Sequence, residues 1–244
     1  MPSLRAGGLA WAILLALGVT GLRLILMAFN QTDLFVDESQ YWLWGKNLDW
    51  GYYSKPPMIG WLIGAVTYLT GSDSIFVIRA PSAILHGATA IILAAVARRR
   101  VGPAVVLPTC GLYLLAPFTS LGSLLMSTDT VMLPLLAGAL YAQARYLHAR
   151  TLRWAAVTGA MIGLACLAKY AGIYLLLALL LAQIFPETRM SRRALAVMVV
   201  TALVVVSPNL AWNMAHQFAT FDHTSRNIGW VRGDQAAAHP GLFG

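Results

Sequence analysis

Residues 9–29 carry a single charge, Arg23, and residues 154–186 a single charge, Lys169. Stretches of that kind decide the solvent before they decide the fold. A bilayer core takes roughly 20 consecutive apolar residues per helix, and within it every backbone polar group must be bonded inside the chain, so such stretches become helices. The whole sequence agrees: of 244 residues 59% are hydrophobic and 11% charged, against about 25% charged in soluble chains, and the mean hydropathy is +0.69. Too little charge is present to coat a globule of this size, which excludes soluble, disordered, collagen-like and disulfide-rich classes. The net charge of +8 does not mark a nucleic-acid surface, because the basic residues stand between apolar runs rather than in one patch. Cys110 and Cys166 both lie in apolar stretches, where a structural disulfide is not expected and the redox compartment cannot be read.

The basic residues report topology instead. Clusters occur at Arg98–Arg100, at Arg145, Arg150 and Arg153, and at Arg189, Arg192 and Arg193, and each is expected on the cytoplasmic side together with Arg5. An even number of crossings must then separate successive clusters. The parity gives crossings at 9–29, 75–97, 101–125 and 131–146, two short passes within 154–186 meeting near residues 169–172, and a last one at 194–206 ending at Ser207-Pro208. Residues 9–29 read as a retained helix rather than a cleaved signal peptide, since no small-residue cleavage site precedes Asn30. Residues 58–70, bounded by Pro56-Pro57 and Gly71, are too short to cross and are expected along the interface. The reading is one all-α integral membrane domain over 1–244 with about seven spanning helices, a first external loop 30–74 and an external C-terminal segment 209–244. All acidic residues except Glu187 then fall on the external side, which is where chemistry is expected.

The first external loop is the richest stretch. Asp37 precedes Gln40 at capping-box spacing, with Tyr41, Trp44 and Leu48 following at helical intervals, so Asp37 reads as the cap of a short interfacial helix and shares a face with Tyr41. Aromatic residues crowd the loop, and an aromatic belt with a capping carboxylate accounts for much of it. Three features point further: the Asp37-Glu38 pair directly after the first crossing, a lone Asp129 expected at the same depth, and Lys55 before the double proline. Carboxylates near hydrocarbon are costly unless paired or used. Such a group could take a proton from an acceptor hydroxyl while a lysine steadies a phosphate leaving group. The plainer alternatives are Asp129 as the N-cap of the helix from 131, Lys169 as a side chain snorkelling to lipid phosphate, and Arg23 and Arg79 snorkelling or paired with a loop carboxylate. His86 reads as packing, and the spacing of His216, His223 and His239 with Asp222 fits no closed zinc site. No phosphate-cradling glycine loop, CxxC pair or GxSxG elbow is present.

The run Asp37-Glu38-Ser39-Gln40-Tyr41-Trp42-Leu43-Trp44, followed by Leu48-Asp49-Trp50-Gly51-Tyr52-Tyr53-Ser54-Lys55-Pro56-Pro57, resembles the first external loop of bacterial glycosyltransferase family 39. That family includes protein O-mannosyltransferases and the aminoarabinose and galacturonic acid transferases acting on lipid A. Ser127-Thr128-Asp129, Lys169-Tyr170, Pro208-Asn209, Trp212-Asn213 and Phe221-Asp222-His223-Thr224 resemble it further. The resemblance implies a GT-C fold in the bacterial inner membrane, with a cytoplasmic N-terminus and a periplasmic active face. It implies an inverting transferase that moves a sugar from a polyprenyl-phosphate carrier to a lipid, glycan or protein acceptor, with membrane lipids as further partners and no nucleic acid. By the family pattern Asp37 is the general base, with Glu38 beside it. Asp129 orients acceptor or base, and Lys55, Lys169, Arg79 and Tyr53 face the donor phosphate. Where the aminoarabinose branch has a glutamate before the lysine, this chain has Ser54, so no bound metal is expected and the lipid-linked sugar is the only co-substrate. The resemblance covers about the N-terminal half of a usual member. The competing readings are a polyprenyl-phosphate carrier protein without chemistry and an inactive portion of a transferase.

Overall fold

The computed structural model describes residues 3–227, with side chains over 8–225, and all regular structure among them is helical. The helices are α1 (Ser3–Ala28), α2 (Val36–Lys46), α3 (Met58–Thr70), α4 (Ile75–Arg100), α5 (Val106–Leu115), α6 (Pro117–Gly122), α7 (Thr128–Ala149), α8 (Leu152–Ala168), α9 (Ile173–Leu181), α10 (Arg192–Ala215) and α11 (Ala219–Asn227). Three have the length and apolarity to cross a bilayer: 8–28 of α1, α4 and α10. Their large apolar residues, such as Leu17, Leu22 and Ile25 of α1, stay exposed, as lipid-facing side chains must.

Lipid tails are as apolar as leucine, so helices in a membrane associate by close packing rather than by escape from water, and small residues mark the seams. Ala12 and Ala16 of α1 meet Ala90 and Ala94 of α4 and Cys110 of α5 in one buried cluster. A second joins α7, α8, α9 and α10 through Ala139, Ala155, Ile162, Leu176, Ala194 and Met198. At the α8–α10 seam the backbones touch: a Cβ on Gly159 would lie 2.1 Å from the Met198 carbonyl oxygen, and one on Gly163 2.7 Å from Val205 Cβ. The third cluster brings Tyr41 of α2 and Ile59 and Ile63 of α3 onto Ile78, Val131, Met132, Ala165 and Ala168.

The paired positions fix directions. Gly159 and Gly163 face 198 and 205, so α8 and α10 run parallel, while Asp129 with Lys169 and Tyr141 with Trp154 set α7 antiparallel to α8. His86 beside Thr130 and Arg99 beside Tyr141 set α4 parallel to α7. One end of the bundle therefore carries loop 30–57, Asp129 and Lys169, and the other carries Arg98–Arg100, Arg145, Arg150 and Arg153. These are called below the loop end and the arginine end.

Several boundaries differ from the sequence reading, each for a local reason. The stretch 101–125 is not one helix: Pro117 has no N–H to continue α5 and holds Ala116 extended (ψ 135°). The Leu114 carbonyl near that break takes Arg23 Nη2 at 2.5 Å and Ser120 Oγ at 3.2 Å, so Arg23 is buried on a carbonyl rather than snorkelling. Conversely, α10 does not stop at Ser207-Pro208 but runs on to Ala215. Pro208 leaves the Val204 carbonyl without its helical donor, and the Ser207 hydroxyl takes it at 2.8 Å. At α7 the cap is Ser127, whose Oγ accepts the Thr130 N–H, so Asp129 is free for another partner. At α2 the cap position is Phe35, whose N–H is taken by Glu38 Oε2 at 3.1 Å, so Asp37 does not cap that helix.

Candidate active site

Outside α2, loop 30–57 is held by specific bonds rather than by periodic structure. Tyr52 is its pin: the ring stacks on Trp44 (centroids 4.6 Å apart, planes 1° apart), and the hydroxyl lies 3.1 Å from the Trp44 and Asn47 carbonyls at the end of α2. The Tyr52 N–H donates to the Lys55 carbonyl at 3.1 Å, closing the turn that presents Lys55, and Pro56 keeps Lys55 out of helical conformation. Burial raises the Tyr52 phenol pKa above its ordinary value, which keeps it protonated and bonding. Ser54 Oγ donates to Gln40 Oε1 at 3.4 Å and ties the turn to α2 one helical turn from Asp37.

The C-terminal helices clamp the same loop. Asn209 Nδ2 donates to the Trp50 carbonyl at 2.7 Å and Thr220 Oγ1 to the Tyr52 carbonyl at 2.6 Å. Tyr170, just past α8, donates to Asn209 Oδ1 at 3.0 Å, accepts from Asn213 Nδ2 at 3.1 Å and stacks on Phe221 at 4.6 Å. A Cβ on Gly51 would come within 2.4 Å of the Trp212 ring, so glycine is required for that approach. Two of these bonds join residues more than 150 positions apart and the others about 40, which is why periodicity assigned none of them a role.

Six charged side chains then take distinct environments. Glu38 is buried under Arg79, whose Nε lies 3.0 Å from Oε1 and whose Nη2 lies 2.6 Å from Oε2; the two side chains are 2% and 1% exposed. Glu38 also accepts the Met126 N–H at 2.9 Å, and Arg79 also donates to the Thr32 and Asp33 carbonyls at 3.0 and 2.8 Å. Every strong site on both groups is occupied, so the pair fastens α2, α4 and the chain before α7 together, and the Arg79 N–H groups are taken up within the chain. Asp37, one residue from Glu38, is exposed and, among the described residues, accepts a single long 3.4 Å bond, from the Tyr41 hydroxyl. Tyr41 itself is 2% exposed. Its phenol pKa is raised by burial first and then by Asp37, with smaller contributions from the charges of Asp129 and Glu38.

Asp129 holds Lys169 through both oxygens, at 2.8 and 2.7 Å, and both side chains are about one-third exposed. Lys55 is partly exposed and its ammonium has no hydrogen-bond or ion-pair partner among the described residues. Tyr53 points outward at 61% exposure, edge-on to His223 at 5.0 Å. Asp37, Glu38, Asp129, Lys55 and Lys169 thus gather at the loop end around α2, while Tyr53 lies at its rim. Beside them an apolar cavity of about 440 Å³ opens between α3, α4 and α7, lined by Met58, Trp61, Leu62, Leu85, Val131 and Leu135. It begins three residues after Lys55 and two after Asp129. No group of three or more His, Cys, Asp or Glu side chains that could hold a metal is found among the described residues; Asp234 and His239 lie outside them.

Sequence reasoning places Tyr52, Asn209 and Asn213 within the resembling motifs but gives them no role, and it does not single out Thr220; the contact of Asp37 with the Tyr41 hydroxyl was legible only in their spacing of four.

Compared with known proteins, residues 54–212 match a family model described as dolichyl-phosphate-mannose-protein mannosyltransferase. The matched interval takes in Lys55, Arg79, Asp129 and Lys169 and begins after Asp37 and Glu38. A relative named lipid A galacturonosyltransferase RgtD, from Rhizobium johnstonii (strain DSM 114642 / LMG 32736 / 3841), is 41% identical over 222 residues, covering 89% of this chain and 46% of that protein. The chain thus spans about half the length of the curated relative it matches. No solved structure matches it.

Proposed function

The chain belongs to the dolichyl-phosphate-mannose-protein mannosyltransferase family, and from that premise we propose that it transfers a sugar from a polyprenyl-phosphate carrier to an acceptor hydroxyl at the loop end of the bundle. The arginine end stays cytoplasmic under the positive-inside rule, so the loop end is periplasmic in a bacterial inner membrane. What supports the proposal is that the loop end carries an exposed carboxylate bonded to a buried tyrosine, an ammonium without a partner among the described residues, and a second ammonium held by a carboxylate.

The chemistry follows from those environments. Asp37 takes the proton of the acceptor hydroxyl as that oxygen attacks the anomeric carbon. The bond from that carbon to the carrier phosphate oxygen breaks with its electron pair, and the polyprenyl phosphate leaves from the opposite face, giving inversion. Lys55 and Lys169 face the charge that grows on the phosphate, and Asp129 holds the Lys169 ammonium in place. Being exposed, Asp37 returns its proton to water. Glu38 and Arg79 act by locking the helix that carries Asp37. The apolar cavity between α3, α4 and α7 takes the first isoprene units of the carrier. Lipid A is the first acceptor to try and galacturonic acid the first sugar, because the relative so named is 41% identical over 89% of this chain.

The test is transfer from a labelled polyprenyl-phosphate sugar to lipid A in membranes containing the chain. Asp37→Asn abolishes transfer while the protein stays inserted at the wild-type level; undiminished transfer in that variant removes Asp37 as the base. A wild-type chain that retains the labelled carrier and never transfers its sugar favours the carrier-binding reading.

A further inference from the structure

The arginine end holds more than a topological signal. Arg99 at the end of α4, Arg145 near the end of α7 and Arg153 at the start of α8 converge on two aromatic rings. Arg145 and Arg153 lie over the same Trp154 ring, their guanidinium carbons 4.7 and 5.3 Å from its centroid. Arg99 lies 5.1 Å over Tyr141 and donates to its hydroxyl at 3.2 Å, and Tyr141 meets Trp154 edge-on at 6.5 Å. The Trp154 pair of guanidiniums is thus within about 10 Å, one Debye length at moderate salt, and Arg99 is one ring away.

Three like charges so placed repel one another, and among the described residues no ion pair relieves them. The ion pairs of the described residues engage Lys46, Arg79 and Lys169 and none of these three. Glu187 is the single acidic residue between 130 and 221 and forms none of those pairs. Neighbouring arginines do find internal acceptors: Arg150 donates to the Arg189 carbonyl at 2.6 Å and Arg189 to the Gln183 carbonyl at 3.3 Å. Stacking on rings orients guanidinium planes and leaves their N–H edges directed outward. A basic pocket between transmembrane helices, at the level where headgroups lie, suits a phosphate-bearing anion.

We propose that Arg99, Arg145 and Arg153, set around Tyr141 and Trp154 at the arginine end of α4, α7 and α8, form a binding site for a phosphate anion, supplied by an anionic phospholipid headgroup or by free phosphate. The site lies about a helix length from Asp37 and does not depend on the transferase proposal. A topological signal needs only the number of positive charges, whereas this site needs their convergence.

Native mass spectrometry of the purified full chain with phosphatidylglycerol, and with phosphatidylcholine for comparison, tests it. The wild type retains phosphatidylglycerol selectively. Arg99→Gln/Arg145→Gln/Arg153→Gln loses roughly tenfold or more of that retention, on about a kcal/mol for each basic group. Arg98→Gln/Arg100→Gln/Arg193→Gln, which removes the same charge outside the cluster, keeps most of it. Equal losses in the two triple variants overturn the site and leave diffuse charge as the cause. Should the cluster variant fail to fold, Arg145→Lys/Arg153→Lys decides: charge is kept and the planar forks are lost, so a severalfold fall supports the site and unchanged retention overturns it. Millimolar inorganic phosphate that displaces the lipid assigns the site to free phosphate, and retention in its presence assigns it to the headgroup.

Discussion

Asp37 and Glu38 are adjacent and chemically alike, yet one turns to water and the other is buried against an arginine. The reason is angular: successive residues on a helix are about 100° apart, so when α2 lays Tyr41 and Glu38 inward, Asp37 remains at the edge. The difference predicts opposite consequences for the same substitution. Glu38→Gln leaves Arg79 charged, buried and short of its counter-ion, which costs about 3–5 kcal/mol; thermal unfolding in detergent should show a large fall in midpoint, and Arg79→Gln a comparable one. Asp37→Asn removes an exposed charge held by one long bond, so its stability should stay within about 0.5 kcal/mol of wild type while transfer is lost. A stable Glu38→Gln protein would sink the locking role assigned to the buried pair.

At the scale of elements, α2 sits on α3 through glycine. A Cβ on Gly45 would lie 2.8 Å from the Gly64 backbone N, and one on Gly64 2.5 Å from the Gly45 oxygen. Backbone cannot yield as a flexible side chain can, so Gly45→Ala must lift α2 from α3 and with it Asp37, costing about 1–3 kcal/mol. Gly18→Ala, where nothing lies within 4 Å, is the matched control and should be neutral or slightly stabilising; equal effects of the two on unfolding midpoint would refute the packing account. A second fastener is electrostatic. Asp73, just before α4, accepts from Lys46 Nζ at 2.5 Å and from the Trp42 indole N–H at 2.9 Å, both on α2. Those bonds, Lys46 first, hold the Asp73 carboxyl below its ordinary value of 3.8. A carboxyl depressed in the folded state lends its stabilisation fully above the unfolded value and loses it as pH falls through the lower folded value. The emission difference between wild type and Trp42→Phe should therefore stay constant from neutral pH to about 4 and change only below 3.8. A midpoint above that value would remove the clasp.

At the scale of the molecule, helix directions sort the charges by end, and the proposal gives each end a compartment. Replacing Tyr53 or Ser72 by cysteine at the loop end should allow labelling of intact cells by a membrane-impermeant maleimide, and replacing Arg150 at the arginine end should not until the membrane is opened. The native thiols of Cys110 and Cys166 are buried and free, so the background stays low. Labelling of Arg150→Cys in intact cells would invert the orientation and separate the candidate base from a periplasmic acceptor.

What the amino-acid order settled by itself is the solvent, the helical class and the distribution of charge between helix ends, because run lengths of apolar residues and the positions of arginines are one-dimensional quantities. The residue types of the candidate site were also legible, since Asp37, Lys55, Asp129 and Lys169 interrupt otherwise apolar or aromatic stretches. Pairing was not. That Glu38 belongs to Arg79, that Lys169 belongs to Asp129 rather than to lipid, and that Ser127 rather than Asp129 caps α7 are decided by contacts 40 residues apart or by a difference of a few tens of degrees at a helix start. Such choices depend on which groups close packing brings within 3 Å, and only the folded bundle fixes those distances.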